Sequence, residues 1–579
     1  MRLLPLQATH WALSLLALCL ASCGSEAPPA AQFPIGQPDL YERNYDLTQA
    51  VTQQLERGPL EALLRSARRQ DAPILAAVLH PTFSARFPNP NQGAPLADPQ
   101  LEIWDLGAAS LAPIDGQVFV RAWLAHSQPW RKLERASVEV TRLWLAPQPQ
   151  GASKKTGERV VGRAQLELGG LRPAGGRCSL QLTLEFEAHR EPNGPWLLLR
   201  LDCTAGDKLR GPAPTFRSIT RETGFDYRLS RRNRSLGQSF VDEHQTLALG
   251  GLSAVDWNRD GFWDLLGSRH GQLSTLFLND GQGGFQPTPL PVESPRQSGA
   301  FLLHVDLDGD GQAELINSRV LNYRKGNAEC GLYVRDGAGW RLEADAFRFP
   351  NPVGLRRLAI QTVVPMDANG DGLLDLFFAV YGTALSRGAD YNSVEAHDGA
   401  DNHLFINQGN LVFEEESNER GISGTQYTYV ATAFDFDGDG DQDIFEGNDF
   451  GPNILWLNDG AGQFSADTHT GLGGVSAYSM GATLADYDNT GRWSLYVSNM
   501  SSASGARMVD LPSGLDPKLR ERVRVIASGN RLFEEAPDGR WIEGAEAAGV
   551  ARAGWAWGSV FADLDNDGDQ DLFVTNGFT

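Results

Sequence analysis

One nonapeptide, D-x-[DN]-x-D-G-x-x-[DE], recurs six times between residue 213 and the C-terminus. The copies begin at Asp256 (DWNRDGFWD), Asp306 (DLDGDGQAE), Asp367 (DANGDGLLD), Asp435 (DFDGDGDQD), Asp486 (DYDNTGRWS) and Asp563 (DLDNDGDQD). Recurrence at intervals of roughly fifty to eighty residues predicts an array of small repeated units, a propeller or a solenoid.

The spacing of the acids is that of a cation loop. Hard cations take oxygen ligands, roughly six to eight for Ca²⁺. Side-chain oxygens at positions 1, 3, 5 and 9, with the carbonyl of position 7, can close around one ion. Gly at position 6 permits the turn that brings position 9 back. The predicted ligands are Asp256, Asn258, Asp260 and Asp264 in the first loop. Asp306, Asp308, Asp310 and Glu314 follow, then Asp367, Asn369, Asp371 and Asp375. The fourth loop offers Asp435, Asp437, Asp439 and Asp443, and the sixth Asp563, Asp565, Asp567 and Asp571. The fifth keeps Asp486 and Asp488, but Thr490 and Ser494 replace the other acids, so it should bind weakly or stay empty. Flanking segments such as 252–255 and 572–574 read as strands, not helices, so these are hairpin loops and not EF-hands.

Charge fits this reading. The net charge of −22 opposes nucleic acid as a partner, and five bound Ca²⁺ would reduce it to about −12.

A second element follows most loops. It is a strand, a tight Asn-Asp-Gly-type turn and an aromatic restart, as in Leu276–Phe285 and Ile454–Phe464; related strings begin at Asn402 and Asn530. Loop, strand, turn and strand together predict a four-stranded antiparallel blade.

These repeats resemble FG-GAP/VCBS repeats, related to those of integrin α-chain propellers. Residues 447–453 (GNDFGPN), Ser479-Met480-Gly481, 499–502 (NMSS) and 554–558 (GWAWG) resemble more narrowly the ASPIC/UnbV-associated bacterial relatives of cartilage acidic protein. The resemblance covers about residues 213–579. It implies a seven-bladed-type propeller with calcium in its loops, and packing between blades for Trp557. Two departures stand beside it. No ASPIC/UnbV module is present, and the sequence stops just past the strand after loop six. Residues 216–220 could supply a ring-closing strand; otherwise the final blade is missing.

Residues 1–22 read as a lipoprotein signal, with Arg2, an apolar run from Leu13 to Leu20, and Leu20-Ala21-Ser22 before Cys23. The run is too short to span a bilayer. Cys23 would carry the lipid and residues 23–34 would form the tether. This predicts an exported protein anchored to the membrane by lipid, at a bacterial outer membrane or cell surface. Cys178, Cys203 and Cys330 would remain in a compartment that permits disulfides. A hairpin turning at residues 191–194 would pair Cys178 with Cys203 and leave Cys330 a buried free thiol.

Residues 35–205 read as a small α+β domain. Asp46 and Gln49 form a capping box, and Pro59 opens a second helix that carries Leu60, Leu63, Leu64 and Ala67 on one face. Strands are expected at 137–145, 159–168, 178–187 and 195–202. Helices followed by an antiparallel sheet resemble the nuclear-transport-factor-2-like (NTF2-like) fold in element order. His80, His126 and Glu185 form no catalytic constellation.

The expected function is adhesion or binding at the cell envelope, with structural calcium. The insertions 383–401 and 501–528 would present the face for a protein or glycan ligand. A lectin-like propeller, with Trp257, Trp263, Trp493, Trp555 and Trp557 near the loops, is one alternative. A polymer-degrading enzyme is another, though no nucleophile elbow, HExxH or paired-carboxylate motif supports it, and the chain is read as a non-enzyme.

Overall fold

The structure is a computed structural model. It describes residues 50–88, 94–96, 102–106, 111–127, 130–145, 158–172, 175–192, 194–211, 218–228, 250–268, 273–290, 292, 301–318, 320–322, 330–337, 339–343, 345–350, 357–382, 399–449, 451–500, 525–526 and 528–578. The signal, Cys23, the tether, the capping-box residues Asp46 and Gln49, and most of both long insertions lie outside them. Among the described residues no helix is long and apolar enough to cross a membrane. The chain divides into two compact units between Arg217 and Ser218.

The first unit begins helical. Gly58 breaks the helical backbone beside Pro59, and α1 (Glu61–Arg69) and α2 (Ala72–Ala76) follow. Leu60, Leu63, Leu64 and Ala67 are buried on one face, as the spacing predicts. A third helix, α3, spans Gly116–Ser127. Eight strands make one sheet: β1 (Leu79–Arg86), β2 (Ala94–Leu96), β3 (Glu102–Asp105), β4 (Ile114–Asp115), β5 (Lys132–Leu145), β6 (Glu158–Leu171), β7 (Arg177–Arg190) and β8 (Leu197–Gly211). Their order is β2-β3-β8-β7-β6-β5, with β1 beside β8 and β4 beside β1. Alternation on β7 buries Leu180, Leu182, Leu184 and Phe186 against Phe119 and Trp123 of α3. The opposite face carries ion pairs such as Arg163–Glu185 (2.8 Å).

The expected disulfide is corrected here. The β7–β8 hairpin forms, but its register sets Cys178 opposite Arg210 and Cys203 opposite Leu184. The cysteines stand at different distances from the turn, so they sit roughly 20 Å apart along the strands. Cys178, Cys203 and Cys330 are all buried free thiols.

Among the described residues the second unit forms five four-stranded antiparallel units, of which the third and fourth, with Val320–Asn322 added at the edge of the third, join in one nine-stranded sheet. The first holds Leu252–Val255, Asp264–Gly267, Thr275–Asn279 and Phe285–Pro289. The second holds Phe301–Val305, Glu314–Ser318, Gly331–Asp336 and Gly339–Glu343. The third holds Arg357–Met366, Asp375–Gly382, His403–Asn407 and Phe413–Glu415. The fourth holds Tyr427–Phe434, Asp443–Asp449, Ile454–Asn458 and Phe464–Ala466, and one bridge, Tyr381 to Tyr427, links it to the third. The fifth holds Ser479–Ala485, Ser494–Asn499, Arg531–Glu535 and Trp541–Glu543. The pair Trp555–Ala562 and Asp571–Phe578 follows.

Each sheet shares a core with the next. Leu266 and Leu276 pack with Leu315 and Tyr333, and Ile316 and Leu332 with Phe378 and Phe405. Phe377 and Leu404 pack with Ile444 and Trp456, and Phe445 and Leu455 with Leu495 and Phe533. Tyr496 and Leu532 meet Phe561 and Leu572. Burial of these apolar faces between sheets supplies the main favourable term in such a stack.

Of the expected closing strand 216–220, residues 216 and 217 lie outside the described residues, and 218–220 form no strand. They lead into a turn whose Thr223 carbonyl accepts the Phe285 N–H (2.6 Å) at the first sheet. Phe225 packs there on Phe277.

Candidate metal centres

Each nonapeptide joins the first and second strands of its sheet. Its acids organise the loop backbone before any cation is considered. The position-1 carboxylate accepts loop N–H groups on both oxygens. Asp435 takes Gly438 (2.7 Å) and Asp439 (3.1 Å) on Oδ1, and Gly440 (3.1 Å) on Oδ2. Position 5 turns back on position 7, as when Asp371 Oδ1 accepts the Leu373 N–H (2.8 Å). Position 6 is left-handed in every copy, Gly440 at φ 102° for example. Position 4 is left-handed too, which the sequence reading missed; it holds Gly309, Gly370, Gly438, Asn489, Asn566 and, against ordinary preference, Arg259. The Arg259 guanidinium donates to the Gly311 carbonyl of the second loop.

Position 9 is a brace. Asp443 Oδ2 accepts the Phe436 N–H (2.8 Å) and Oδ1 the Asn458 N–H (2.9 Å). Asp264 and Asp375 do the same with Trp257 and Asn279, and with Ala368 and Asn407. Glu314 accepts from Leu307 (2.8 Å) and Asp571 from Leu564 (3.0 Å). Burial pushes Glu314 and Asp443 up to about 7 and Asp375 up to about 6, and neighbouring loop carboxylates add to the shift. Asp441, an extra acid in the fourth loop, rises to about 6 for the same reasons.

Three loops bring together three carboxylates whose oxygens lie within 4.8 Å of one another: Asp306, Asp308 and Glu314; Asp435, Asp437 and Asp443; Asp563, Asp565 and Asp571. These are positions 1, 3 and 9. The position-5 acids Asp310, Asp439 and Asp567 lie outside the groups. The first and third loops, with Asn at position 3, form no such group among the described residues. There Asn258 and Asn369 donate to Asp260 (2.8 Å) and Asp371 (3.0 Å). The fifth loop keeps its shape without its lost acids: Asp486 still accepts from Thr490 (2.9 Å) and Gly491 (2.8 Å), and Thr490 Oγ1 donates to Asp488 (2.9 Å). A carboxylate oxygen that accepts one N–H keeps a lone pair, so the three groups fit a hard cation in charge and donor type.

The turn asparagines also tie neighbouring sheets together. Asn407 Nδ2 donates to the position-2 carbonyl of the second loop, Leu307 (2.9 Å), and Asn458 Nδ2 to that of the third, Ala368 (2.9 Å). Trp541 Nε1 does so at Phe436 of the fourth (2.9 Å). The sequence marked the asparagines as turn residues only.

Of the tryptophans near the loops, Trp263 is 67% exposed and Trp493 41% exposed. Trp257 stacks on His304 and Trp340, and Trp557 meets Tyr429 of the fourth sheet edge-on (5.7 Å).

Antiparallel sheets stacked in chain order, each with an acidic hairpin loop, define a repeat protein of the propeller type. Residues 256–316, 367–446 and 435–497 match the family model described as FG-GAP-like repeat, so the chain carries FG-GAP repeats. Cartilage acidic protein 1 of Xenopus tropicalis is 25% identical over 275 residues, which cover 47% of this chain and 38% of that protein. The chain thus spans less than two fifths of that relative's length. Among solved structures, BBS1N in complex with ARL6DN is similar at 8% identity and a TM-score of 0.32, over 57% of this chain and 76% of that one. A conserved protein from Planctomyces limnophilus DSM 3776 is similar at 14% identity and a TM-score of 0.16, over 28% and 94%. Neither structural likeness is close enough to carry an argument.

Proposed function

We propose that this chain is a calcium-stabilised propeller that works as a binding or adhesion module. The observation behind the calcium reading is the grouping of three carboxylates at equivalent positions of the second, fourth and sixth loops. Asp306, Asp308 and Glu314, Asp435, Asp437 and Asp443, and Asp563, Asp565 and Asp571 would hold the ions. The ion supplies positive charge between carboxylates that otherwise repel, so binding energy becomes folding energy. Affinities of roughly 0.1–1 mM would suffice outside a cell. In this proposal the propeller is seven-bladed in type and the first unit NTF2-like. The protein is exported and held at the membrane by lipid on Cys23. It acts by binding rather than catalysis, through a protein ligand on the face of insertions 383–401 and 501–528. The exposed rings of Trp263 and Trp493 favour a second reading, a glycan ligand on the loop side.

Metal counting by mass spectrometry on residues 35–579, with thermal unfolding in EGTA and across a Ca²⁺ titration, tests the core of this. At least three ions and a saturable stabilisation are expected. No bound metal and no shift would reduce the loops to turns. A glycan array then separates the two ligand readings.

A further inference from the structure

The fifth loop has lost two of its four acids, yet it is built like the others and reaches its neighbour. Its fourth residue, Asn489, is left-handed at a φ of 54°, a conformation that asparagine adopts more readily than most residues. Asn489 Nδ2 donates to the Gly568 carbonyl of the sixth loop (3.0 Å). A second bond runs the other way, from the Gln570 N–H to the Tyr487 carbonyl of the fifth loop (3.3 Å). The Tyr487 ring stacks on Phe561, with 5.9 Å between ring centres and 6° between planes. Its hydroxyl donates to Glu534 of the fifth sheet (2.6 Å). The same contact, position 4 to the position-6 carbonyl of the next loop, recurs between Arg259 and Gly311. The second, third and fourth loops have glycine at position 4, which offers no side chain for it.

The sixth loop has less support of its own than the other acid-rich loops. Asp264, Asp375 and Asp443 each brace two backbone N–H groups, the second of them on the third strand of their own sheet. The final pair has no third strand among the described residues, and there Asp571 accepts from Leu564 alone. Glu314 also makes one such bond, but it is buried and Asp571 is not. The bond from Asn489 falls where it can compensate. The Gly568 carbonyl belongs to the peptide that joins Gly568 to Asp569. Asp567, at position 5, precedes that peptide, and the position-7 carbonyl, that of Asp569, follows it. Fixing the peptide therefore restrains two of the oxygens that a cation in this loop would need. An oxygen held in place before the ion arrives need not be ordered when it binds, so affinity is gained without a new ligand.

We infer, on the calcium reading of the sixth loop, that the fifth loop is a positioning element for the sixth, and that Asn489 is the residue that latches the two together. The latch strengthens the ion at Asp563, Asp565 and Asp571. By linkage, that ion in turn strengthens the contact between the two loops.

The test compares four full-length chains: the parent, Asn489→Gly, Asp565→Ala and the double variant. Glycine adopts a φ of 54° without strain, so Asn489→Gly removes the amide and leaves the turn. Calcium is titrated by calorimetry, and bound ions are counted by mass spectrometry after dialysis. Asp565→Ala should lose one ion. Asn489→Gly should keep the parent's ion count at saturation but bind one ion about three- to tenfold more weakly, the worth of one hydrogen bond. The double variant should bind calcium as Asp565→Ala alone does, because the site that the latch serves has gone. Unchanged affinity in Asn489→Gly would overturn the latch. So would an equal weakening with and without Asp565, which would make Asn489 a general packing contact. In both cases the ion count stays intact. Absence of bound calcium from the parent would instead sink the calcium reading, and the latch with it.

Discussion

Asp443 and Asp437 sit in the same loop, yet substitution should separate their roles. Asp443 accepts two backbone N–H groups inside the protein. Asp443→Ala would leave both donors unpaired and should cost about 2–4 kcal/mol even in EGTA. Asp437→Asn keeps an oxygen for the Asp439 N–H, so in EGTA it should change stability by less than about 0.5 kcal/mol. Its effect should appear only as a smaller calcium-dependent gain. Denaturant unfolding with and without Ca²⁺ reads both; equal losses in EGTA would show that Asp437 is also a brace. Glu446 poses a different residue-scale question. Its carboxylate is buried between the third and fourth sheets, where it accepts from Trp456 Nε1 and Asn402 Nδ2 (both 2.8 Å). Burial raises it to about 7, against the partial opposition of those two bonds. A folded value above the unfolded one means that the folded state keeps a proton the unfolded state has lost. This group's contribution therefore falls as pH rises from about 4.5 to about 7, and is level above that. Glu446→Gln keeps both bonds without the charge. It should gain up to about 3 kcal/mol over the parent at pH 8 and nothing at pH 4.5. A difference between the two proteins that is the same at both pH values would show that Glu446 does not titrate in that window. The nonapeptide acids were legible in sequence because their periodicity is local. The division between brace and ligand was not, because it depends on which N–H each oxygen meets after the strands pair.

The hairpin loop is the element that repeats, and the fifth copy shows what its shape requires. Asp486 holds the turn there through the same two backbone bonds as Asp256, Asp367, Asp435 and Asp563 make in their copies. The turn about position 1 thus forms without acids at positions 5 and 9, while the brace of position 9 and the charge of the loop are lost with them. Ser494 is buried and stands opposite Glu534 in the register. Thr490→Asp with Ser494→Asp should therefore make the protein less stable than the parent in EGTA, because a new buried carboxylate faces an existing one. In calcium the same variant should recover that loss and carry one more ion by mass. An unchanged ion count would show that the fifth loop is closed to metal for reasons other than its missing acids. Sequence predicted these hairpins well, since Asp-Gly and Asn-Gly turns between apolar runs are short-range signals. The bonds between sheets were invisible, because Asn458 meets Ala368 across ninety residues of chain. The Cys178–Cys203 pairing failed for a related reason. A turn indicates that two strands pair, but partners must stand equally far from it, and register irregularities between Thr183 and Leu184 and between Glu187 and Ala188 shift the count again.

At the scale of the whole molecule, the negative excess lies in the repeats, while the described part of the first unit is slightly basic. Two accounts of the proposed calcium stabilisation then compete. In one the ion is bound in the loops; in the other it screens an acidic domain. Distance separates the two. Carboxylate oxygens within 4.8 Å of one another repel by roughly 1 kcal/mol per pair even at the dielectric constant of water. Salt at 0.1 M screens over about 10 Å, so it barely reaches pairs this close. A bound divalent ion cancels their repulsion directly, and one site held at about a hundred times its dissociation constant stabilises the fold by about 2.7 kcal/mol. Raising NaCl from about 0.1 to about 0.5 M in EGTA should therefore recover only a small part of the unfolding temperature that millimolar Ca²⁺ restores. The recovery should also be confined to one transition. The carboxylate groups all lie in the second unit, so the first unit should melt at the same temperature in EGTA and in calcium. Differential scanning calorimetry of residues 35–579 under the three conditions measures both. Full recovery by NaCl would make the acidic loops a matter of net charge, and the carboxylate groups would lose their standing as metal centres.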